Sequence, residues 1–369
     1  MRFGATILDA TGLRLTEDEK ALFREAAPFG FILFARNIES ADQVRALCDD
    51  FREAAGHDCL ITIDQEGGRV QRLRAPLARE WKPALDHVAL ASDPVRAMYL
   101  RGRLIAAELR AFGIDSNCAP VADVASEGTH PFLRNRCYGS DTASVAARAR
   151  ACALGHLDGG VVPVMKHIPG HGRSTMDSHH DLPHVAASAE VLRAEDFAAF
   201  AALKDLPMAM TAHLVYDAFD TRPATLSPVM MQVIREDLGY DGLVMTDDIS
   251  MKALWKVAEQ SEGQLPTAGG SEAPARGGGR ELSDLRPDDT VNWSARLARQ
   301  SLDAGCDVAL YCNAPLAERA AVAEAAGQMS VTAQRRAEAA LACRKPPAAL
   351  DFDAAEAELS ALMGGQVYG

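Results

Sequence analysis

Residues 165–183 read MKHIPGHGRSTMDSHHDLP, which places four histidines, two aspartates, a lysine and an arginine in nineteen residues without a cysteine. The stretch holds too much Gly, Pro and Ser for a packed helix, so most of these groups belong to a loop. Asp177 stands two residues before His179. A carboxylate that hydrogen-bonds an imidazole fixes its tautomer and raises its pKa, giving a group able to donate and retrieve a proton near neutrality. Lys166 and His167 instead end an apolar run, where both could donate hydrogen bonds to hydroxyls. The plainer alternative is a rim lysine and a histidine satisfied by backbone. His171, within PGHG, reads as part of a tight turn.

Two further stretches carry carboxylates. Asp247 and Asp248 close the run GLVMTDD, and strand alternation sends adjacent side chains in different directions, one toward a site and one toward the loop. A carboxylate there could be a nucleophile, a general base or a metal ligand. DQEGGRVQRL offers Asp64, Arg69 and Arg72. A short carboxylate can accept from two sugar hydroxyls, and an arginine can bind hydroxyls or a carboxylate in bidentate fashion. Two arginines could instead grip phosphate, although the Gly pair is not the GxGxxG nucleotide motif. HPFLRNRCYGSD adds Arg134 and Arg136, one expected in a pocket and the other in solvent.

Positioning these groups requires elements, and eight short β-rich runs recur with amphipathic helical patterns between them. The runs are Ala5–Ala10, Gly30–Arg36, Cys59–Gln65, Asp115–Val124, Val161–His167, Pro207–His213, Gly242–Asp248 and Asp307–Asn313. Several are continuously apolar, as parallel strands covered on both faces should be. The alternation predicts an α/β chain folded as a single (β/α)8 barrel. Asp9, Arg36, Asp64, Asp123, Lys166, His167, His213, Asp247, Asp248 and Asn313 all fall near the C-terminal ends of the runs, which in such a barrel converge on one mouth. Glu259–Thr290, rich in Gly, Pro, Ser and charge, breaks the rhythm and reads as a flexible insertion, either a disordered loop or a lid. The tail from Pro315 reads as two helices packed on the barrel's outside, and no internal repeat is evident.

Composition narrows the function classes. With 369 residues the chain can bury a large core. A net charge of -13 argues against nucleic acid as a partner, since phosphate binding needs a concentrated basic field. A local Arg/Lys cluster could still serve a small anionic ligand. No run approaches a membrane span, and the short N-terminal apolar run ends at Asp9, which argues against a signal peptide. Eight scattered cysteines, several inside apolar runs, read as buried free thiols of a cytoplasmic protein.

Taken in order, DQEGGRVQR, NRCYGSD, VMKHIPGHG with MDSHHDLP, and GLVMTDDISM resemble the bacterial β-N-acetylhexosaminidases of glycoside hydrolase family 3 that work in cell-wall recycling. The resemblance runs from about Ala5 to Asn313. It implies a (β/α)8 catalytic barrel, placed here over residues 1–340 with a helical tail over 341–369, and the insertion at about 259–290 departs from the compact members of the family, which lack it. It also implies retaining removal of a terminal N-acetylglucosamine from a β-1,4-linked disaccharide or muropeptide ending in 1,6-anhydro-N-acetylmuramic acid. On that resemblance the nucleophile falls on Asp247 and the acid/base on His179, with Asp177 as its partner. The sugar-binding carboxylate falls on Asp64, and the other pocket residues on Arg72, Arg136, Lys166 and His167.

No cofactor and no metal are expected. In NRCYGSD, Asn135 and Cys137 stand where the family more usually has Glu and Ser, so Arg136 remains but its support is expected to differ. Three other readings stay open. A glycoside phosphorylase would exploit the absence of a negative charge on His179. A metal-dependent barrel hydrolase would use His167, His171, His179, His213 and Asp247. A noncatalytic carbohydrate-binding barrel is the third.

Overall fold

The computed structural model describes residues 2–175, 182–251, 254 and 287–369. Eight parallel strands lie near the expected positions: β1 Gly4–Leu8, β2 Pro28–Leu33, β3 Leu60–Ile63, β4 Ser116–Asn117, β5 Val162–Ile168, β6 Met208–Thr211, β7 Leu243–Met245 and β8 Ala309–Leu310. They form two four-stranded sheets in the spatial orders β8-β1-β2-β3 and β7-β6-β5-β4. Backbone bonds join both pairs of edges. Cys118 N–H donates to Ile63 O at 2.8 Å, and Thr246 N–H donates to Val308 O at 3.0 Å beside a parallel Met245–Val308 bridge. The strands therefore neighbour one another in sequence order, an α/β arrangement consistent with a (β/α)8 barrel.

Parallel neighbours need crossovers, and helices supply them. Among them are Glu17–Ala26, Ala41–Ala55, Pro94–Ala111, Thr142–Asp158 and Pro287–Ala304. Their starts are written in the sequence. Thr16 and Glu19 form a capping box, while Ser40, Asp93 and Asp141 each accept the N–H three residues on. The fourth strand is regular only over Ser116–Asn117 of the expected Asp115–Val124, and its pairing with β5 resumes past Pro120 as a parallel Val121–Lys166 bridge. Of the expected insertion, residues 259–286 lie outside the described residues, and 287–290 belong to the first turn of a helix.

Strand periodicity sorts the core into two sides. Ala5, Ile7, Leu60, Val162, Val164, Met208, Met210, Leu243, Met245, Val308 and Leu310 share one cluster inside the ring of strands. Alternate residues such as Leu8, Ile61, Met165, Ala209 and Val244 pack outward against helices. Extending the inward rows by two residues leads from Val162 and Val164 to Lys166, and from Leu243 and Met245 to Asp247. The row Leu60, Thr62 leads likewise to Asp64.

The tail differs from the two expected outer helices. It forms three: Leu316–Ala326, Val331–Leu341 and Phe352–Leu362. The first break falls at Gly327 (φ +60°), where the chain turns under β1: Ala5 N–H donates to Gly327 O and Met329 N–H to Phe3 O. Ala333, Ala337 and Ala340 then join the inner cluster, so the second helix closes the lower end of the sheet cylinder instead of lying outside it. Arg336 and Arg344 tie this segment to Asp307 and Asp115 at 3.0 and 2.8 Å. All eight cysteines are free and seven are buried. Among the described residues no helix is long and apolar enough to cross a membrane.

Candidate active site

Asp64, Arg72, Arg136, Lys166, His167 and Asp247 line one cavity of about 360 Å³ at the C-terminal ends of the strands, together with Arg69, His171 and Asp248. Asp64 accepts from Lys166 Nζ at 2.8 Å and from Arg72 Nη2 at 3.0 Å. Burial alone would raise its pKa, but those two cations hold its carboxyl well below the usual carboxylate range. Lys166 is 2% exposed and shifts upward: desolvation opposes its charge, but Asp64 and Glu66 outweigh it.

Glu66 completes this network, and no role for it follows from the motif reading. It is 3% exposed, takes Lys166 Nζ at 2.6 Å, and grips Arg136 in a bidentate pair at 2.7 and 2.9 Å. The available signal is spacing, because Glu66 lies two residues beyond Asp64 in extended chain. Gln65–Gly67 pairs antiparallel with Val70–Gln71, and the turn between them uses Gly67 at φ +105° and Gly68 at φ +59°, backbone that favours glycine. Gly67 also lies against Arg101, where a Cβ would stand 2.1 Å from Nη2. Arg101, 1% exposed, donates to the Glu66 and Lys82 carbonyls at 2.5 and 2.7 Å and holds this hairpin from behind.

The two arginines of HPFLRNRCYGSD separate as expected. Arg136 enters the cavity, while Arg134 is exposed and donates to Ser126 O. The Cys137 thiol donates to its local helix carbonyl, Leu133 O, and Arg136 is supported by Glu66. Arg69 is exposed at the rim with its guanidinium 3.6 Å from the centre of the Phe132 ring.

Asp123 fixes the next wall. Its Oδ2 meets His167 Nδ1 at 2.7 Å, and its Oδ1 accepts the His167 and His171 N–H groups at 3.1 and 2.7 Å. Burial favours the neutral acid, yet His167 and these N–H groups hold its pKa at about 2. With the Nδ1 proton directed to Asp123, Nε2 faces the cavity as an acceptor, 3.5 Å from Arg136 Nη2. His171 is buried with its ring edge-on to His167, 5.2 Å between centres, and contributes to the wall as well as the turn.

The two adjacent acids have different surroundings. Asp247 accepts the Asp248 N–H at 2.8 Å. Desolvation would raise its pKa, but His213, His167, that N–H and Lys166 hold it below the ordinary value, so it is ionised at neutral pH. Asp248 is pushed upward by burial, and its oxygens are taken by Cys312 Sγ at 2.9 Å and the Ser250 N–H at 2.9 Å. Both ring nitrogens of His213 are engaged, by Thr225 Oγ1 at 2.7 Å and Asp248 O at 3.1 Å. Asp247 is thus an available carboxylate, and Asp248 a brace tying its loop to β8. Asp177 and His179 lie outside the described residues. No group of three potential metal ligands occurs among the described residues.

A cavity with two inward carboxylates, three cations held in place by them and a histidine with a fixed ring suits a polyhydroxylated ligand, since every group is oriented before binding. Residues 6–268 match the glycosyl hydrolase family 3 N terminal domain. The chain is 35% identical over 321 residues to a β-hexosaminidase of Alkalilimnicola ehrlichii, covering 85% of this chain and 82% of that one. It is 36% identical over 313 residues to a β-hexosaminidase of Methylococcus capsulatus, covering 84% and 83%. Native NagZ from Neisseria gonorrhoeae is similar in structure with a TM-score of 0.73 at 28% identity, covering 98% of each chain. The match to the family model over residues 6–268, with relatives of 35–36% identity that cover 84–85% of this chain, shows that the chain belongs to glycoside hydrolase family 3.

Proposed function

We propose that this family 3 enzyme is a retaining exo-β-N-acetylglucosaminidase. Its substrate in this reading is a disaccharide or muropeptide in which N-acetylglucosamine is β-1,4-linked to 1,6-anhydro-N-acetylmuramic acid, as in cytoplasmic peptidoglycan recycling. The observation that carries the reading is the convergence of Asp64, Lys166, Arg136 and His167 around one cavity beside an ionised, unbraced Asp247. The β-hexosaminidase relatives support the sugar class, as does the Neisseria gonorrhoeae NagZ complex with N-trifluoroacetyl-D-glucosamine. The succession of eight strands supports a complete (β/α)8 barrel within a catalytic unit of residues 1–340, to which residues 341–369 add a helical tail.

In this mechanism Asp64 accepts from sugar hydroxyls, while Arg72, Arg136 and Lys166 donate to sugar oxygens. Asp247 attacks C1 as protonated His179, held by Asp177, gives its proton to the departing muramic oxygen. The C1–O bond to the leaving sugar breaks and a bond to Asp247 forms. Water then attacks C1, neutral His179 takes its proton, and Asp247 departs; two inversions leave the β configuration. His213, His167, the Asp248 N–H and Lys166 keep Asp247 ionised for the first step, so no base has to activate it.

The test compares 4-nitrophenyl N-acetyl-β-glucosaminide with the matching β-glucoside, followed by product analysis in phosphate buffer. The reading predicts a strong preference for the N-acetyl sugar and free N-acetylglucosamine as product. Equal rates would contradict the sugar assignment, and N-acetylglucosamine 1-phosphate as the product would make the enzyme a phosphorylase.

A further inference from the structure

A second cavity of about 490 Å³ opens beside the first, between the ends of β8, β1 and β2, and Asn313 lines both. Its cation is Arg36, whose side chain is 36% exposed and rests on its ion-pair partner Asp9, 2% exposed. Asp9 also accepts the Asn313 N–H at 2.7 Å and faces Arg319 at 3.5 Å. The acid is therefore enclosed beneath the guanidinium, and a group arriving from solvent meets the arginine first.

Two connections run from here to the sugar cavity. Asn313 Oδ1 accepts from Arg36 Nη1 at 2.6 Å, while its Nδ2 stands 3.5 Å from Asp248 Oδ2. Phe34, a wall of the first cavity, has two guanidiniums near its ring, Arg36 at 4.8 Å and Arg72 at 5.5 Å from the ring centre. Asn313 holds φ +61°, a left-handed backbone that asparagine tolerates better than most residues and that aims its amide along this wall. In a chain of net charge -13 this edge of the mouth presents Arg36 and, across Phe34, Arg72. Ala10, Ala314 and Leu316 supply an apolar side to the second cavity.

A glycoside with its terminal sugar at Asp64 and C1 at Asp247 needs a neighbouring space for the leaving part. The geometry points to the Arg36 cavity as that leaving-group subsite, taking the carboxylate of an acidic aglycone against the Arg36 guanidinium with Asn313 as the shared wall. This rests on the glycosidase reading above. The carboxylate can belong to the lactyl ether of the muramic residue or to the first amino acid of a peptide attached there.

The experiment measures kcat/KM for two pairs: the N-acetylglucosaminyl-anhydromuramic disaccharide against its lactyl methyl ester, and its alanyl conjugate against the alanyl methyl ester. A charge-assisted hydrogen bond at a half-exposed site predicts an acid-to-ester ratio of about tenfold in one pair, and that pair identifies the carboxylate. The ratio should fall toward one in Arg36→Gln and be partly kept in Arg36→Lys. Should Arg36→Gln unfold because Asp9 loses its partner, Pro315→Asp provides the same test. It leaves Arg36 in place, puts a negative charge on the cavity edge, and offers a favourable N-cap to the helix Leu316–Ala326, so the ratio should again fall. Ratios near one in both pairs for the wild-type enzyme overturn the subsite, as does a ratio that Arg36→Gln or Pro315→Asp leaves unchanged. 4-Nitrophenyl N-acetyl-β-glucosaminide runs alongside. If neither it nor the disaccharides turn over, the glycosidase reading fails and the subsite with it, a result separate from turnover without acid preference.

Discussion

Replacing Glu66 by Gln keeps the side-chain volume and removes one charge from the centre of the cavity's network. Glu66 is 3% exposed, Lys166 2% and Arg136 12%, so all three charges are largely withdrawn from water. The carboxylate meets Lys166 at 2.6 Å and Arg136 at 2.7 and 2.9 Å. Removing one partner of a buried ion pair commonly costs about 3–5 kcal/mol, since the remaining charge is stranded. Lys166 retains Asp64 at 2.8 Å, and the amide oxygen of Gln can still accept one bond. The amide nitrogen, however, would point a donor at a donor of Arg136. These opposing effects place the loss at the lower end, about 3 kcal/mol. Equilibrium urea unfolding monitored by circular dichroism measures it, with Glu80→Gln as the comparison. Glu80 pairs with Arg74 where the two side chains are 34% and 45% exposed, and such a pair contributes about 0–1 kcal/mol. The Michaelis constant for the chromogenic N-acetylglucosaminide should rise in Glu66→Gln, because Arg136 and Lys166 lose their shared anchor. If Glu66→Gln costs no more than Glu80→Gln and leaves KM unchanged, the buried network does not hold the cavity in shape.

Three other outcomes follow from named groups. Asp123→Asn weakens the charge-assisted bond that orients His167, and should lower kcat/KM by about tenfold or more; an unchanged value would remove Asp123 from the orienting role. Burial raises the Asp9 pKa from 3.8 to about 6, so folding binds a proton there between these values. The associated stability is present in full below the unfolded value and is lost as pH rises through about 6, roughly 3 kcal/mol at most. Urea unfolding across pH 4–7 should therefore differ in slope between wild type and Asp9→Asn, and parallel curves would contradict the assignment. His179→Ala should slow the disaccharide by about 10²–10⁴-fold and activated aryl glycosides much less; equal effects on both would deny His179 the role of acid.

Much of the site is legible wherever strand alternation extends from apolar core residues to the polar residue that follows them. Val162 and Val164 point to Lys166, and Leu243 and Met245 point to Asp247, so the inward side of each could be inferred from spacing. Glu66 escaped a role because its partners, Arg136 and Lys166, lie 70 and 100 residues away, and only the fold brings opposite charges to one buried point. The pairing of Asp123 with His167 is hidden for the same reason, although Asp123 itself stands at a recognisable strand end. In the tail, Gly327 and the N-cap Ser330 mark a stop and a new start inside a run whose helical spacing continues on both sides. What spacing does not show is the backbone pairing of the segment with Phe3 and Ala5, a contact across the whole chain. The pairing of Asp177 with His179 is an expectation from their spacing, and both lie outside the described residues. The distinction between Asp247 and Asp248 is only half legible, since alternation separates their directions. Which one is free depends on Cys312 and Ser250 occupying the other.

The central claim is that Asp247, and not its neighbour, forms the covalent bond to the sugar. Its most direct measurement is to trap the enzyme with a slow fluorinated N-acetylglucosamine-type glycoside and locate the adduct by peptide mass mapping, alongside the anomeric configuration of the first product by NMR. An adduct on Asp247 with a β product is the predicted result. An adduct on Asp248, or an α product formed without any adduct, would contradict it.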